Sequence, residues 1–178
     1  RVLREYLLKG YALNQRVNRI ENTVENLATK VHQIDFQIKS KDLPQKGIFY
    51  NGQVFDAWHF VSDIVRSAKK SIILIDNYID DSVLTLFAKR RKKVAVTLLT
   101  KKGNAKLSLD IQKFNAQYEP VTLTEFTDSH DRFLIIDESD IYHIGASLKD
   151  LGKKWFAFSK IDIADVSILD KLKKAKLL

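Results

Sequence analysis

The chain has 178 residues, of which 45% are hydrophobic, and a formal net charge of +8 at pH 7. This length suggests one or two domains with a sizeable core, and the basic balance permits nucleic-acid or phosphate partners without requiring them. Cysteine is absent, which excludes disulfides and cysteine-ligated metal sites and fits a reducing compartment. Apolar runs such as residues 72–75 are far shorter than the roughly 20 residues that span a bilayer, and no signal peptide opens the chain. We therefore expect a cytoplasmic protein without a membrane segment, and predict no metal or cofactor.

The first predicted element is a coiled coil over residues 13–38. Its apolar residues alternate spacings of four and three, which is the heptad pattern: Leu13, Val17, Ile20, Val24, Leu27, Val31, Ile34 and Ile38. In parallel register Arg16 faces Glu21 of the second chain and Lys30 faces Asp35, and both pairs attract. The alternative is an amphipathic helix lying on its own domain, but such a helix normally has a wider apolar stripe. We therefore predict a parallel homodimer.

The periodicity changes after this dimerising helix, which we assign to residues 1–43, and predicts an α/β domain over residues 47–178. A hairpin is predicted over residues 47–55, because Asn51-Gly52 is a strong turn signal. Asp56 is then predicted to cap a helix. Next, strands over residues 71–76, 94–100 and 121–126 alternate with helices over residues 81–91 and 108–118. This alternation indicates βαβ units with a parallel sheet.

After residue 126 the alternation stops. Residues 131–137 and 140–145 are predicted strands joined by a tight turn at Glu138 and Ser139, which adds an antiparallel hairpin to the parallel sheet. Both faces of the first of these strands are apolar, as expected for an interior strand. A strand over residues 156–161 and a helix over residues 163–174 complete the domain. The predicted fold class is α/β, with a long N-terminal coiled-coil helix followed by a mixed β-sheet flanked by helices.

This order of elements predicts a site at one rim of the sheet, because open α/β sheets bind ligands outside the carboxyl ends of their parallel strands. A short link brings His130 to that rim, and the returning hairpin strand brings Ser147 and Lys149 beside it. Arg132, two residues after His130 on a strand, points to the same face. Asn77 lies in the turn after the first parallel strand. We predict that Arg132, Ser147, Lys149 and Asn77 hold a phosphate.

The residues of this rim resemble the motif of the phospholipase D/nuclease family. The pattern of that family is a histidine, a lysine two residues later, an aspartate five residues beyond the lysine, and then a Gly-Ser segment. The run HDRFLIID from His130 to Asp137, followed by Gly145-Ala146-Ser147, is similar to this pattern. The resemblance covers roughly residues 47–178 and implies a phospholipase-D-like fold. It implies catalytic roles for His130, Arg132 and Asp137. Members with one motif per chain build the site from two chains, so His130 would be the nucleophile and its copy in the second chain the general acid.

Two positions depart from the family pattern. Arg132 stands where the family has lysine, and this change is not conservative because the fork and reach of arginine differ. Leu148 occupies the position of the asparagine expected after the Gly-Ser segment. Both departures favour a degenerate domain that binds a phosphate-bearing ligand, nucleic acid or partner. The alternative is a metal-independent phosphodiesterase or nuclease, which the intact His130 and Asp137 keep open.

The amino end also resembles another group of proteins. Residues 3–14 are similar to the segment that follows the DNA-binding part of KilA-N-like and RhuM-like proteins of bacteria, phages and mobile elements. Because the sequence begins at Arg1 within a helix-like pattern, we expect an upstream part to be missing. The resemblance implies that this missing part binds DNA and that the present residues dimerise it.

Overall fold

The computed structural model describes residues 10, 13–27, 30, 43–101 and 105–178. The chain divides into two compact units, Arg1–Asp42 and Leu43–Leu178. In the first unit residues 13–27 are helical and form helix α1. Its five predicted seam residues are between 40% and 61% exposed, namely Leu13, Val17, Ile20, Val24 and Leu27. The other seam residues, Val31, Ile34 and Ile38, lie outside the described residues, and the pairing of two chains stays a prediction.

The second unit is built on one mixed sheet. Its strands are β1 (Lys46–Phe49), β2 (Ser71–Ile75), β3 (Ala95–Thr100), β4 (Val121–Glu125), β5 (Arg132–Ile136), β6 (Asp140–Ile144) and β7 (Phe156–Ile161). They form a seven-stranded sheet in the order β1-β7-β6-β5-β2-β3-β4. Strands β2, β3 and β4 pair in parallel, and the other pairs are antiparallel. The predicted mixed α/β sheet, with its antiparallel hairpin, is therefore confirmed.

Helices cover both faces of this sheet. They are α2 (Val54–Ser67), α3 (Asp81–Phe87), α4 (Ala105–Gln117) and α5 (Ile168–Lys174). Helices α2 to α4 share the larger core, in which Leu134 of β5 is fully buried. Helix α5 contributes Leu172 to a smaller core that contains Ile135, the next residue of β5. Neighbouring residues of β5 thus enter different cores, as predicted for an interior strand.

None of the helices in the described residues has the length and apolar character that spanning a bilayer requires.

The predicted hairpin over residues 47–55 is wrong in its second half. Strand β1 ends at Phe49, Gly52 adopts φ 89° in a turn, and helix α2 begins at Val54. Strand β1 pairs with β7 instead. The aromatic ring of Phe49 stacks there on Phe156 and Phe158, with centroids 5.3 and 5.6 Å apart. An isolated hairpin offers no such burial and is at best marginally stable.

Several helix boundaries also differ from the prediction. Asp56 lies in the first turn of α2 and does not cap it, since the N-cap residue is Gln53. Helix α3 ends at Phe87, earlier than predicted, because the Arg90 guanidinium donates to the Phe87 carbonyl at 2.8 Å and satisfies the helix end. The helix predicted over residues 163–174 is divided into a 3₁₀ turn, Ile163–Asp165, and α5.

Candidate functional site

The candidate site lies at the rim of the sheet where the parallel strands β2 and β3 end. Strand β5 begins at this rim, because Ile75 at the end of β2 pairs with Phe133. Strand β6 returns to it, since Ile144 pairs with Arg132, and β7 starts from it. The loops after β2 and β6 and the segment before β5 therefore meet at one end of the sheet, as the sequence predicts.

A cleft of about 630 Å³ opens among these loops. Among the described residues it is lined by Tyr78, Arg132, Gly145, Ala146, Ser147, Lys149, Asp150, Lys153, Lys154 and Trp155. This lining holds four cationic side chains and one carboxylate, and the carboxylate, Asp150, pairs with Lys153 at 2.9 Å. An excess of positive charge in a concave site favours an anionic ligand.

Tyr78 is the centre of this positive charge. Its ring centroid lies 5.1 Å from Lys101 Nζ, 5.7 Å from the Arg132 guanidinium carbon and 5.8 Å from Lys149 Nζ. Cation–π attraction favours each contact separately. Three like charges around one ring nevertheless repel one another, and an anion bound among them would relieve that repulsion. The geometry suits a multivalent anion such as a phosphate group.

Asp76 holds the loops of the cleft together. Its carboxylate is fully buried. Oδ2 accepts hydrogen bonds from the Ser147 hydroxyl at 2.8 Å and from the Leu148 N–H at 2.9 Å, while Oδ1 accepts from the Tyr78 N–H at 3.0 Å. One carboxylate thus joins the loop after β2 to the loop after β6. Ser147 lines the cleft, and its hydroxyl donates to Asp76. Its contact with a phosphate stays a prediction.

Asn77 holds a third loop in place. Its Nδ2 donates to the Ser129 carbonyl at 2.7 Å, which ties the segment that carries His130 to the loop after β2. Asn77 is therefore a tether between loops, and its phosphate contact stays a prediction. Within the described residues, Asn77 Oδ1 and Arg132 Nε are buried without a hydrogen-bond partner. Native structures rarely leave such groups unpaired, and Arg132 Nε is a donor that a ligand oxygen would satisfy.

His130 lies beside the cleft. It is exposed and precedes β5 at the same rim as Arg132. Among the described residues that line the cleft, Arg132, Ser147 and Lys149 are present, whereas His130 is absent. A nucleophile must approach phosphorus to about 3–3.5 Å. One chain alone therefore supports ligand binding more directly than it supports phosphoryl transfer from His130.

Asp137 lies at the opposite end of the sheet from Arg132, and its catalytic role stays a prediction. Asp137 follows Arg132 by five residue positions, which correspond to about 17 Å along a strand at roughly 3.3 Å per residue. Its carboxylate accepts the backbone N–H groups of Lys69, Lys70 and Ser71 at 2.9, 2.6 and 3.0 Å. Burial raises the pKa of Asp137, but these donors outweigh that effect and lower the pKa below its ordinary value. Asp137 thus fastens the start of β2 to the β5–β6 turn.

This turn is also centred one residue earlier than predicted. Asp137 and Glu138, rather than Glu138 and Ser139, have positive φ angles, 53° and 54°. Aspartate tolerates this left-handed conformation better than most residues. The conformation directs the Asp137 carboxylate towards the N–H groups at the start of β2. The hydrogen bonds formed there offset the energetic cost of the positive φ angle.

Sequence reasoning missed Lys101, Trp155 and the charge cluster around Tyr78. The contacts of Tyr78 join three loops that are distant in sequence, so no local pattern shows them. Trp155 did carry a signal, because it immediately precedes the predicted strand over residues 156–161 and hence lies at the same rim. In the structure it is 70% exposed.

Comparisons with known proteins agree with this architecture. No family model and no curated protein matches the chain. NucT from Helicobacter pylori is similar in structure at 12% identity, with a TM-score of 0.51 over 74% of this chain and 93% of that chain. TrmBL2, an archaeal chromatin protein that shows a novel mode of DNA binding, is similar at 14% identity, with a TM-score of 0.51 over 92% of this chain and 64% of that chain.

The fold shared with NucT, a member of the phospholipase D family, is the one that the sequence motif predicted. The α/β unit therefore has a phospholipase-D-like fold. At these identities the likeness shows the fold and not the activity. Neither structure bears on the KilA-N-like resemblance of residues 3–14, which lie largely outside the described residues and keep that resemblance as a prediction.

Proposed function

We propose that the α/β unit, residues 47–178, binds a phosphate-bearing ligand in the cleft at the strand ends. The observation that carries this proposal is the group of three cations, Lys101, Arg132 and Lys149, around Tyr78. Arg132 Nε, which has no hydrogen-bond partner among the residues that the structure describes, adds a buried donor. Arginine binds phosphate through a planar fork, and hydrogen bonds between charged groups are stronger than neutral ones. Arg132 is thus the main phosphate contact, and Lys149 supports it.

We further propose that residues 1–43 dimerise the chain in parallel and serve a DNA-binding part upstream. The heptad pattern supports this, together with the 40% to 61% exposure of its helical seam residues in a single chain. A row of exposed apolar side chains of this kind marks an interaction surface, and a parallel partner helix would cover it. The similarity to TrmBL2, for which DNA binding has been described, supports a DNA-associated role.

A second candidate function is metal-independent hydrolysis of a phosphodiester. The position of His130 at the same rim as Arg132 favours it, since a second chain could bring another His130 towards the cleft. Leu148 weighs against it. Its side chain is fully buried and its N–H already donates to Asp76, so this position supplies none of the polar contacts that the expected asparagine would. Binding is therefore the function that the geometry supports best.

Calorimetric titration tests this proposal. Inorganic tripolyphosphate should bind the wild-type chain, and Arg132→Ala should weaken binding by roughly 1.5–3 kcal/mol, because a charge-assisted contact is lost. Arg66→Ala is the matched control, since Arg66 lies in the last turn of α2, which leads to the opposite end of the sheet. Equal losses for the two variants would reduce the effect to net charge, and no binding to the wild-type chain would end the proposal.

A further inference from the structure

Trp155 lines the cleft and pairs with the ring of Tyr50, and the binding of a simple phosphate does not require this aromatic pair. Trp155 is 70% exposed and Tyr50 is 49% exposed. Their ring centroids lie 5.0 Å apart, with the ring planes at 88°, so one ring meets the other edge-on. Trp155 lines the same cleft as Arg132 and Lys149. A large aromatic face is thus open to the solvent beside a cluster of positive charges.

The two rings are held in place by their loops. The Tyr50 N–H donates to Gln53 Oε1 at 2.7 Å, and the Gly52 N–H donates to the Gly152 carbonyl at 3.0 Å. Gly152 has φ 70°, and a Cβ atom there would lie 2.5 Å from the Gln53 carbonyl oxygen. The turn after β1 and the loop before β7 therefore also meet backbone to backbone, beneath the contact of the two rings. This packing orders the aromatic pair before any ligand binds, which lowers the entropy lost on binding.

We propose that Trp155, supported edge-on by Tyr50, is a stacking subsite for a nucleobase, and that the ligand of the cleft is a single-stranded nucleic acid. This inference rests on the proposed phosphate-binding function and names its ligand class. Single-strand sites combine a basic groove for the backbone with aromatic rings on which bases stack. Arg132 and Lys149 supply the former, and Trp155 supplies the latter.

Other ligands fit these features less well. Bases within a duplex are already stacked on both faces, so their rings are closed to Trp155. A choline headgroup also favours an aromatic ring, but the four cationic side chains of the cleft would repel its charge. Inorganic phosphate leaves the aromatic face unused. A flexible strand with unpaired bases is the ligand that uses both the cations and the exposed ring.

The chain offers a direct spectroscopic test, because it has two tryptophans, Trp58 and Trp155. Trp58 lies on α2 with Lys89 Nζ 5.3 Å from its ring centroid, and it does not line the cleft. The variant Trp58→Phe of the chain therefore leaves Trp155 as the single tryptophan fluorophore. A short single-stranded oligonucleotide should quench its emission, because a stacked base contacts the indole, whereas tripolyphosphate should bind with little quenching.

Affinity measurements on the full chain complete the test. Trp155→Ala should weaken oligonucleotide binding by about 5- to 150-fold, as expected for one stacked base, and leave the affinity for tripolyphosphate unchanged. Trp155→Phe should retain most of the affinity, since it keeps an aromatic face. Phe55→Ala is the matched control, because Phe55 is 79% exposed and does not line the cleft.

The outcomes separate this inference from the function on which it rests. Unchanged oligonucleotide affinity in Trp155→Ala would overturn the stacking subsite. Equal affinity for duplex and single strand, or tighter binding to phosphatidylglycerol vesicles than to the oligonucleotide, would also overturn it. Tripolyphosphate binding that still depends on Arg132 would leave the phosphate site standing in each of these cases. If neither tripolyphosphate nor the oligonucleotide binds, the proposed function fails together with the inference.

Discussion

The two ends of the sheet each contain an aspartate that accepts backbone N–H groups, but their surroundings differ. At the far end Asp137 accepts three of them, and its neighbour Glu138 pairs with Lys173 of α5 at 2.7 Å. At the cleft end Asp76 also fastens loops, yet Arg132 Nε is buried without a partner among the described residues and Trp155 is largely exposed. The carboxylates of Asp137 and Glu138 at the far end thus have partners within the chain, whereas Arg132 Nε at the cleft end has none among the described residues.

This difference separates stabilising residues from binding residues more reliably than the sequence motif does. The motif includes His130, Arg132 and Asp137 as one set, but the sheet places Asp137 about 17 Å from Arg132. A polar group whose partners are all internal contributes mainly to stability. A buried donor without a partner, next to surplus charge, is an expected feature of a ligand site. The comparison therefore predicts that substitutions at the two ends affect different measurements.

The largest expected effect is on the assembly state of the chain. The same variant tests whether the cleft of a single chain binds its ligand. Val24→Asp combined with Leu27→Asp should convert a dimer to a folded monomer, because charges in an apolar seam oppose association. Light scattering checks the mass, and titration of the monomer with tripolyphosphate checks the cleft. Retained binding would assign the cleft to a single chain. A dimer that persists in this variant would mean that the α/β units hold the chains together.

The next effect concerns the core that both ends share. Leu134→Ala should lower the free energy of unfolding by roughly 2–5 kcal/mol, because it empties a fully buried position on an interior strand. Ile48→Ala, at a 55% exposed position, should change it by less than about 0.5 kcal/mol. Chemical denaturation measures both. Equal losses would contradict the assignment of β5 to the interior and β1 to the edge.

A smaller loss of stability is expected at the far end. Asp137→Asn keeps a residue that tolerates positive φ but removes the charge that three N–H groups stabilise. Because the carboxylate is partly exposed, solvent screens it, and the free energy of unfolding should fall by about 1 kcal/mol at pH 7. Binding of tripolyphosphate should not change. A loss of binding in this variant would show that the two ends are coupled.

The same carboxylate predicts a pH dependence. Its pKa is lower in the folded chain than in the unfolded chain, so protonation favours unfolding. The contribution of Asp137 is therefore fully present above the ordinary aspartate pKa of about 3.9 and is lost as the pH falls through the folded-state value. Wild type should lose more stability than Asp137→Asn on acidification below about pH 5. Parallel curves for the two proteins would remove Asp137 as the cause.

The smallest expected effect is that of His130→Ala on binding. Because His130 is exposed and does not line the cleft, tripolyphosphate affinity should stay within about a factor of two of wild type, a change of about 0.4 kcal/mol. The hydrolytic alternative requires more: turnover of a phosphodiester by the wild-type dimer, in excess chelator, should disappear in this variant. Turnover that survives the substitution would exclude His130 as nucleophile.

These contrasts also show what the sequence could predict. The alternation of strands and helices predicted β2, β3 and β4 and hence the rim at which the cleft lies. The two apolar faces of β5 predicted its interior position. The contacts that the motif did not show join residues distant in sequence. The Ser147 hydroxyl donates to Asp76, 71 residues earlier, and Asp137 accepts N–H groups 66 to 68 residues earlier. A local motif cannot show whether a polar side chain is already satisfied inside the fold.

The central claim, that the cleft end binds a phosphate-bearing ligand and the far end serves stability, is tested most directly by ligand-induced stabilisation. The free energy of unfolding is measured with and without tripolyphosphate for wild type, Arg132→Ala and Asp137→Asn. A ligand at 100 times its Kd adds about 2.7 kcal/mol. Wild type and Asp137→Asn should gain the same increment, although the latter starts from a lower stability, and Arg132→Ala should gain much less. An equal gain in all three proteins, or a gain lost in Asp137→Asn and kept in Arg132→Ala, would contradict the account.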